Sequence, residues 1–191
     1  MTNILSPSIR AVKARNILDN TIKLMVKDAE QILKQDNPNF AVTIVKCDWD
    51  PTRIAHRGGL YKGIPGINMA MYRLFGVATW VLNPDVPKEP FRVHEYPRLD
   101  TDPIIGGFYT DNVFDRARCY VAHEVAHALQ FYHKKLNPKT YDRPHGLSFQ
   151  HPYAVLRKAM VNPTLPNQKE MLAKYNEFIN MVKKNETNLS S

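Results

Sequence analysis

Residues 120–130 read Tyr-Val-Ala-His-Glu-Val-Ala-His-Ala-Leu-Gln and contain the pattern His123-Glu124-x-x-His127. On an α-helix, residues four apart lie one turn apart and about 40° around the axis, so both imidazoles point to the same side. They can therefore share one metal ion, and Glu124 beside them can accept a proton from a water molecule at the site. Apolar neighbours such as Val125 lie on the other side. The stretch predicts a helix with one metal-binding face and one packing face.

A catalytic zinc site needs a third protein ligand, and two histidines compete for that place. His133 has the spacing of a longer motif in which glycine ends the helix after the second histidine, but Gln130 stands in that position. If the helix continues, His133 lies about 240° around the axis from His127 and points away. His145 follows a loop that ends the helix, and Gly146 beside it allows the backbone to approach a metal. We therefore favour His145.

The other possible ligands have weaker support. Glu170 and Glu177 lie at polar positions of a later amphipathic helix. We interpret His56, His94 and His151 as surface or packing residues. The sequence therefore predicts His123, His127 and His145 as metal ligands, with Glu124 as the catalytic residue.

The pattern along the rest of the chain predicts both helices and strands. Residues 49–71 are rich in glycine and turn residues, which predicts an irregular hairpin after the first strand. Pro152 is expected to open a short helix. The predicted helices cover residues 7–36, 112–134, 152–160 and 168–184, and the predicted strands cover residues 40–47, 67–71 and 91–96. We expect one domain over residues 1–184, with a core of about residues 8–160 and a frayed tail at residues 185–191.

His123-Glu-Val-Ala-His127, followed after a loop by His145-Gly146-Leu-Ser-Phe149, resembles the signature of the SprT-like zinc metallopeptidases. The resemblance extends over about residues 8–160. It implies a small zincin-like α+β fold, with helices packed on a short, mostly antiparallel sheet and the motif on the central helix.

The same resemblance implies a single Zn²⁺ on the three histidines, Glu124 as general base, and the hydrolysis of peptide bonds in a protein substrate. SprT-like enzymes include Spartan-type proteases that cleave proteins crosslinked to DNA, and the domain also occurs in phage and plasmid anti-restriction proteins. Many members carry a C-terminal zinc ribbon with four cysteines. This chain has only Cys47 and Cys119 and therefore lacks the ribbon.

The chain is basic, with 26 lysines and arginines against 18 acidic residues, a formal net charge of +8. This balance favours a polyanionic partner. Between His133 and Lys158, six basic residues accompany one acidic residue, Asp142. We call this segment the basic stretch and predict that it binds DNA without strong sequence preference. Its basic residues are Lys134, Lys135, Lys139, Arg143, Arg157 and Lys158.

Several classes of protein are disfavoured by composition. No segment approaches the roughly 18 uninterrupted apolar residues of a membrane-spanning helix, so we expect no membrane contact. The N-terminal residues lack the apolar block of a signal peptide, which predicts a cytoplasmic protein. Two cysteines are too few for a disulfide framework, and we expect both to be reduced and in or near the core.

Two alternative functions remain open. The chain could be a catalytically gated or inactive SprT-like protein that binds nucleic acid. It could also be a structural protein, of virion or anti-restriction type, in which zinc only stabilises the fold. Glu124 favours the peptidase, because holding zinc does not require that carboxylate.

Overall fold

The structure is a computed structural model that describes residues 7–53, 55–74, 89–94, 99–165 and 167–189. The four α-helices are α1 (Pro7–Lys34), α2 (Val113–Leu136), α3 (Leu147–Leu156) and α4 (Gln168–Leu189). The strands are β1 (Thr43–Asp48), β2 (Arg57–Tyr61), β3 (Ile64–Ala70), β4 (Phe91–Val93) and β5 (Phe108–Thr110). Short 3-10 turns cover Met71–Leu74, Pro138–Thr140 and Asn162–Thr164, and a π-helical turn covers Arg157–Val161.

The main sheet has three strands in the order β1-β3-β2. The predicted hairpin is confirmed: β2 and β3 pair antiparallel through the two-residue turn Lys62-Gly63. Both turn residues have positive φ, 51° and 81°, as a type I′ turn requires. β1 pairs with β3 in parallel, so this sheet is mixed, and β4 and β5 form a separate antiparallel pair. The predicted α+β class is confirmed.

Helix α2 lies at the centre of the molecule and packs against α1, α3 and the main sheet. Its N-cap is Asn112, whose side chain accepts a hydrogen bond from the Phe114 backbone N–H, at the predicted helix start. The buried face of α2 is rich in small residues, which let neighbouring elements approach closely. The buried apolar residues of this face are Ala117, Cys119, Val121, Ala122, Val125, Ala126, Ala128 and Leu129.

Gly58 marks the closest approach of the sheet to α2. A Cβ atom built on Gly58 would lie 1.8 Å from the backbone oxygen of Glu124, which is far inside van der Waals contact. Only glycine therefore allows β2 to lie against the turn of α2 that carries the His-Glu-x-x-His pattern. By contrast, a Cβ on neighbouring Gly59 would meet nothing nearer than a Phe131 ring carbon at 3.8 Å.

Gly58→Ala is expected to destabilise the protein by about 1–3 kcal/mol, because the new methyl group must push β2 away from α2. The unfolding midpoint in urea, at an unchanged slope, measures this loss. Gly59→Ala is the matched control and should leave the midpoint nearly unchanged. Equal midpoints for the two variants would show that β2 does not approach α2 this closely.

The start of helix α3 differs from the prediction. Pro152 lies inside α3, and the helix begins five residues earlier, at Leu147. The predicted start at Pro152 is therefore wrong. The physical reason is an upstream cap: the Asp142 carboxylate accepts a hydrogen bond from the Leu147 backbone N–H at 2.6 Å.

Other element boundaries agree with the prediction to within a few residues. β4 covers the first three residues of the predicted strand 91–96, and residues 95–98 lie outside the described part of the chain. α4 is described as far as Leu189, beyond the predicted end at residue 184. Within the described ranges, no helix is long and apolar enough to cross a membrane.

The two cysteines are free thiols. Cys119 is buried, and Cys47 is partly buried and packs against the core. Burial, followed by the charge of Asp19, raises the pKa of Cys47 to about 11. The Cys47 thiol therefore stays protonated and unreactive at neutral pH.

Candidate metal centre

Three histidines from two parts of the chain converge on one point. His123 and His127 lie one turn apart on α2, with ring centroids 4.9 Å apart, and His145 lies in the turn before α3. The His145 ring centroid is 5.3 Å from that of His123 and 4.6 Å from that of His127. One nitrogen of each ring lies within 4.8 Å of the others, and the Nε2 atoms of His127 and His145 are 2.8 Å apart. The three side chains could together bind a metal ion.

His145 adopts a backbone conformation that is unusual for a residue with a side chain. Its φ is +59°, in the left-handed region, which costs on the order of 1 kcal/mol or more for a non-glycine residue. The surrounding turn offsets this cost through hydrogen bonds. Gln150 Nε2 donates to the His145 carbonyl at 2.9 Å, and the Gly146 N–H donates to the Arg143 carbonyl at 3.0 Å.

Asp142 holds the same turn from the other side. Its carboxylate accepts hydrogen bonds from the Ser148 hydroxyl and from the Leu147 N–H. The Ser148 hydrogen bond, followed by backbone hydrogen bonds, lowers the pKa of Asp142 to about 2. A Cβ on Gly146 would lie 2.0 Å from a carboxylate oxygen of Asp142. A larger residue at position 146 would therefore have to displace the Asp142 carboxylate that holds the turn.

Phe149 lies behind the three histidines. Its ring centroid is 4.2 Å from that of His127 and 5.0 Å from those of His123 and His145. The side chain is 1% exposed. Tyr153 stacks on its other side at 5.2 Å. This aromatic pair forms an apolar floor that restricts how the imidazole rings can rotate.

Glu124 lines the same cleft as the three histidines and is 7% exposed. The cleft has a volume of about 640 Å³ and lies between β2 and the histidines. Among the strands that the structure describes, β2 is an edge of the main sheet, so one wall of the cleft is an unpaired strand edge. Part of the remaining lining is apolar and comes from Leu60, Phe131 and Pro144.

Tyr61 is a cleft residue that the sequence analysis missed. Burial raises the pKa of Tyr61, and the charge of Glu124 raises it further, which shows an electrostatic interaction between the phenol and the carboxylate. The phenolic hydroxyl donates to the Arg57 carbonyl at 3.3 Å. No local signal marks Tyr61, because β2 reaches the motif helix only through the pairing of distant segments.

His133, His94 and Glu170 have partners away from the three-histidine cluster, whereas His56 lines the same cleft. His133 points away from the centre and is 2.7 Å from the Asn37 amide oxygen, and burial lowers its pKa. His94 lies 2.8 Å from Asp100. Glu170 pairs with Lys174 at 2.9 Å on α4. His56 accepts a hydrogen bond from the Ala70 N–H at 3.1 Å, which fits the predicted packing role. His56 is also one of the residues that line the cleft.

Arg157 is not a surface residue, which corrects the predicted basic stretch. Its side chain is 2% exposed and donates to the Gly106 carbonyl at 3.1 Å and to the Tyr153 hydroxyl at 3.0 Å. The guanidinium also lies 4.7 Å from the centre of the Phe108 ring. A cation held inside the protein in this way cannot reach a DNA phosphate.

The other basic residues of the stretch are exposed. Lys134 lies 3.9 Å above the Tyr141 ring, and Lys135 donates to the Gly63 carbonyl at 3.0 Å. Lys139, Arg143 and Lys158 complete the set. Arg143 is two residues from His145, so part of this charge lies beside the cleft.

Comparison with protein-family models, with curated proteins and with solved structures finds no match for the chain.

Proposed function

We propose that this protein is a zinc-dependent metallopeptidase of the SprT-like, zincin type. One observation carries the proposal: three histidine nitrogens within 4.8 Å of one another share a cleft with the carboxylate of Glu124. Three protein nitrogens leave a fourth tetrahedral position open, which is typical of catalytic rather than structural zinc sites.

The donor set is consistent with zinc. Imidazole nitrogens suit Zn²⁺ among the common metals, and tetrahedral Zn–N bonds of about 2.0–2.1 Å place the ligand atoms a little over 3 Å apart. The observed separation of 2.8 Å between His127 and His145 lies close to this value. When bound, Zn²⁺ supplies a Lewis acid that polarises the scissile carbonyl and acidifies water.

The protein's own residues supply the proton transfer. Glu124 is the carboxylate in the cleft that can accept a proton from the attacking water and pass it to the leaving amine. Because its side chain is almost fully buried, bulk water does not compete for its proton. The Glu124 backbone is fixed by the close approach of Gly58, which keeps the base beside the histidines.

The walls of the cleft favour a peptide as substrate. An extended peptide can pair through main-chain hydrogen bonds with the edge of β2 that no other described strand occupies, as in other cases of strand addition. Gly58 and Gly59 place no side chains in the way of this pairing. The apolar wall of Leu60, Phe131 and Pro144 would then receive an apolar side chain close to the scissile bond.

The experiment that tests the function is cleavage of a mixed peptide library by the purified protein loaded with Zn²⁺. New termini read by mass spectrometry should appear only in the loaded protein, vanish with a chelator and return with added Zn²⁺. We expect apolar residues to be enriched beside the cut. Stoichiometric zinc without any cleavage, together with unfolding on metal removal, would instead support a structural zinc site.

We further propose that the substrates are proteins associated with DNA, because exposed cations lie beside the cleft. Arg143 precedes Pro144, which lines the cleft, and Lys134 lies over Phe131 and Tyr141. Phosphate groups that bind these side chains would release counterions, so DNA affinity should fall with added salt by about 0.9 log units per log unit for each phosphate contacted.

Replacing Lys139, Arg143 and Lys158 together with glutamine is expected to lower DNA affinity and to reduce this salt slope. A gel-shift titration over a range of salt concentrations measures both. The control replaces Lys13, Lys23 and Lys27, three exposed lysines of α1, and removes the same charge from a different helix. Equal losses in the two triple variants, or no complex in wild-type protein at low salt, would reject DNA as the partner.

A further inference from the structure

Gln130 connects His127 on α2 to the turn that carries His145. The side chain lies one turn after His127 and is 1% exposed. Its amide oxygen is 3.1 Å from His127 Nδ1. Its amide nitrogen donates to the Arg143 carbonyl at 2.9 Å and to the Ser148 hydroxyl at 2.7 Å. One buried amide thus contacts His127 and both sides of the His145 turn.

The orientation of this amide follows from its partners. The Arg143 carbonyl can only accept a hydrogen bond, so it must face the NH₂ group of Gln130. Ser148 donates its single hydroxyl hydrogen to the Asp142 carboxylate and therefore accepts from the same NH₂ group. The Gln130 oxygen is left to face His127, and an amide oxygen can only accept.

The tautomer of His127 follows in turn. Because the Gln130 oxygen accepts, His127 Nδ1 must carry the proton that it donates. A neutral imidazole has one ring proton, so the lone pair lies on Nε2. Nε2 is the atom that points to the cluster, 2.8 Å from His145 Nε2. The hydrogen-bond chain from Asp142 through Ser148 and Gln130 therefore prepares His127 to bind a metal through Nε2.

We propose that Gln130 is a positioning residue of the metal centre: it fixes the tautomer of His127 and ties the His145 turn to α2 through the same side chain. The proposal rests on the metal site of the proposed function. Gln130 itself would contact neither the metal nor the substrate, and would act through His127. Outer partners of metal-ligating histidines commonly change metal affinity by 10–100-fold.

The first test uses wild-type protein without metal. Histidine ¹⁵N NMR at a pH where the imidazoles are neutral reports which ring nitrogen carries the proton. We expect His127 to carry it on Nδ1. A proton on His127 Nε2 would overturn the proposal without any variant. This result is independent of zinc binding, so it can fail while the proposed function stands, and it can hold if the protein binds no zinc.

The second test uses variants of Gln130. Gln130→Leu removes all three hydrogen bonds, and we expect mixed His127 tautomers and a 10–100-fold loss of zinc affinity in competition with a chelator. Gln130→Glu keeps an acceptor for His127 and should retain the Nδ1–H tautomer, a rescue that a purely structural role would not produce. Gln168→Leu, which removes an amide that bonds the Tyr109 backbone, is the matched control and should leave zinc affinity unchanged.

A folded Gln130→Leu variant with wild-type zinc affinity and an unchanged tautomer would overturn the proposal. If Gln130→Leu does not fold, Gln130→Glu and the wild-type tautomer decide. Loss of the Nδ1–H tautomer in Gln130→Glu would then contradict the assigned amide orientation.

Discussion

Replacing Glu124 with glutamine is expected to reduce peptide hydrolysis by about 10²- to 10⁴-fold and to leave zinc binding nearly unchanged. Glutamine has almost the same size as glutamate, so the packing of β2 against α2 persists. It cannot accept the proton of the attacking water at neutral pH, and general-base catalysis contributes a factor of this order. Initial cleavage rates and zinc affinity, measured on the same preparation, provide the two readouts.

Glu170→Gln is the control for Glu124→Gln. Glu170 lies on α4 and pairs with Lys174, so its loss removes one carboxylate without touching the cleft. Its cleavage rate should equal that of wild type. Full activity in Glu124→Gln would mean that another group takes the proton, and the proposed mechanism would be wrong.

Replacing His145 with alanine is expected to lower zinc affinity by at least about 100-fold. The substitution removes one of three ligands, and even partners outside the ligand set change affinity by 10–100-fold. Cleavage should disappear at the zinc concentrations that saturate wild type. Competition with a chelator measures the affinity directly and does not depend on knowing the substrate.

His133→Ala provides the comparison for His145→Ala. His133 bonds to Asn37 on the far side of α2, so its loss should cost about 1 kcal/mol of stability and leave zinc affinity unchanged. The reverse pattern, with zinc lost in His133→Ala and kept in His145→Ala, would show that α2 ends near Gln130 and that the ligand set is different.

The parts of the site that depend on one helix could be predicted from the sequence. The spacing of His123 and His127 fixes their common face, because an α-helix repeats every 3.6 residues. The same periodicity correctly placed His133 away from the three-histidine cluster, on the side of α2 that contacts Asn37. His145 was favoured because of the loop that precedes it, and the structure brings it to the other two histidines.

The parts that depend on contacts between distant segments could not be predicted. Tyr61 reaches the cleft through the pairing of β2 with β3 and the packing of β2 on α2. Arg157 has the composition of a surface residue, but its partners Gly106 and Phe108 come from a segment about 50 residues away. Similarly, Asp142 caps α3 from outside the helix, which local helix-start signals around Pro152 do not reveal.

A metal ion bound by the three histidines would couple occupancy of the site to the integrity of the fold, because His145 comes from a different segment than the other two. His145 lies 18 positions after His127, and an ion shared by the two side chains would close this segment into a ring. A group that binds only the folded state stabilises it in proportion to the logarithm of its concentration above the dissociation constant. Without an ion, the segment is held by hydrogen bonds and packing alone, among them the bond from Gln150 to the His145 carbonyl. We therefore expect proteases to cleave metal-depleted protein between Asn137 and Pro144 faster than metal-loaded protein.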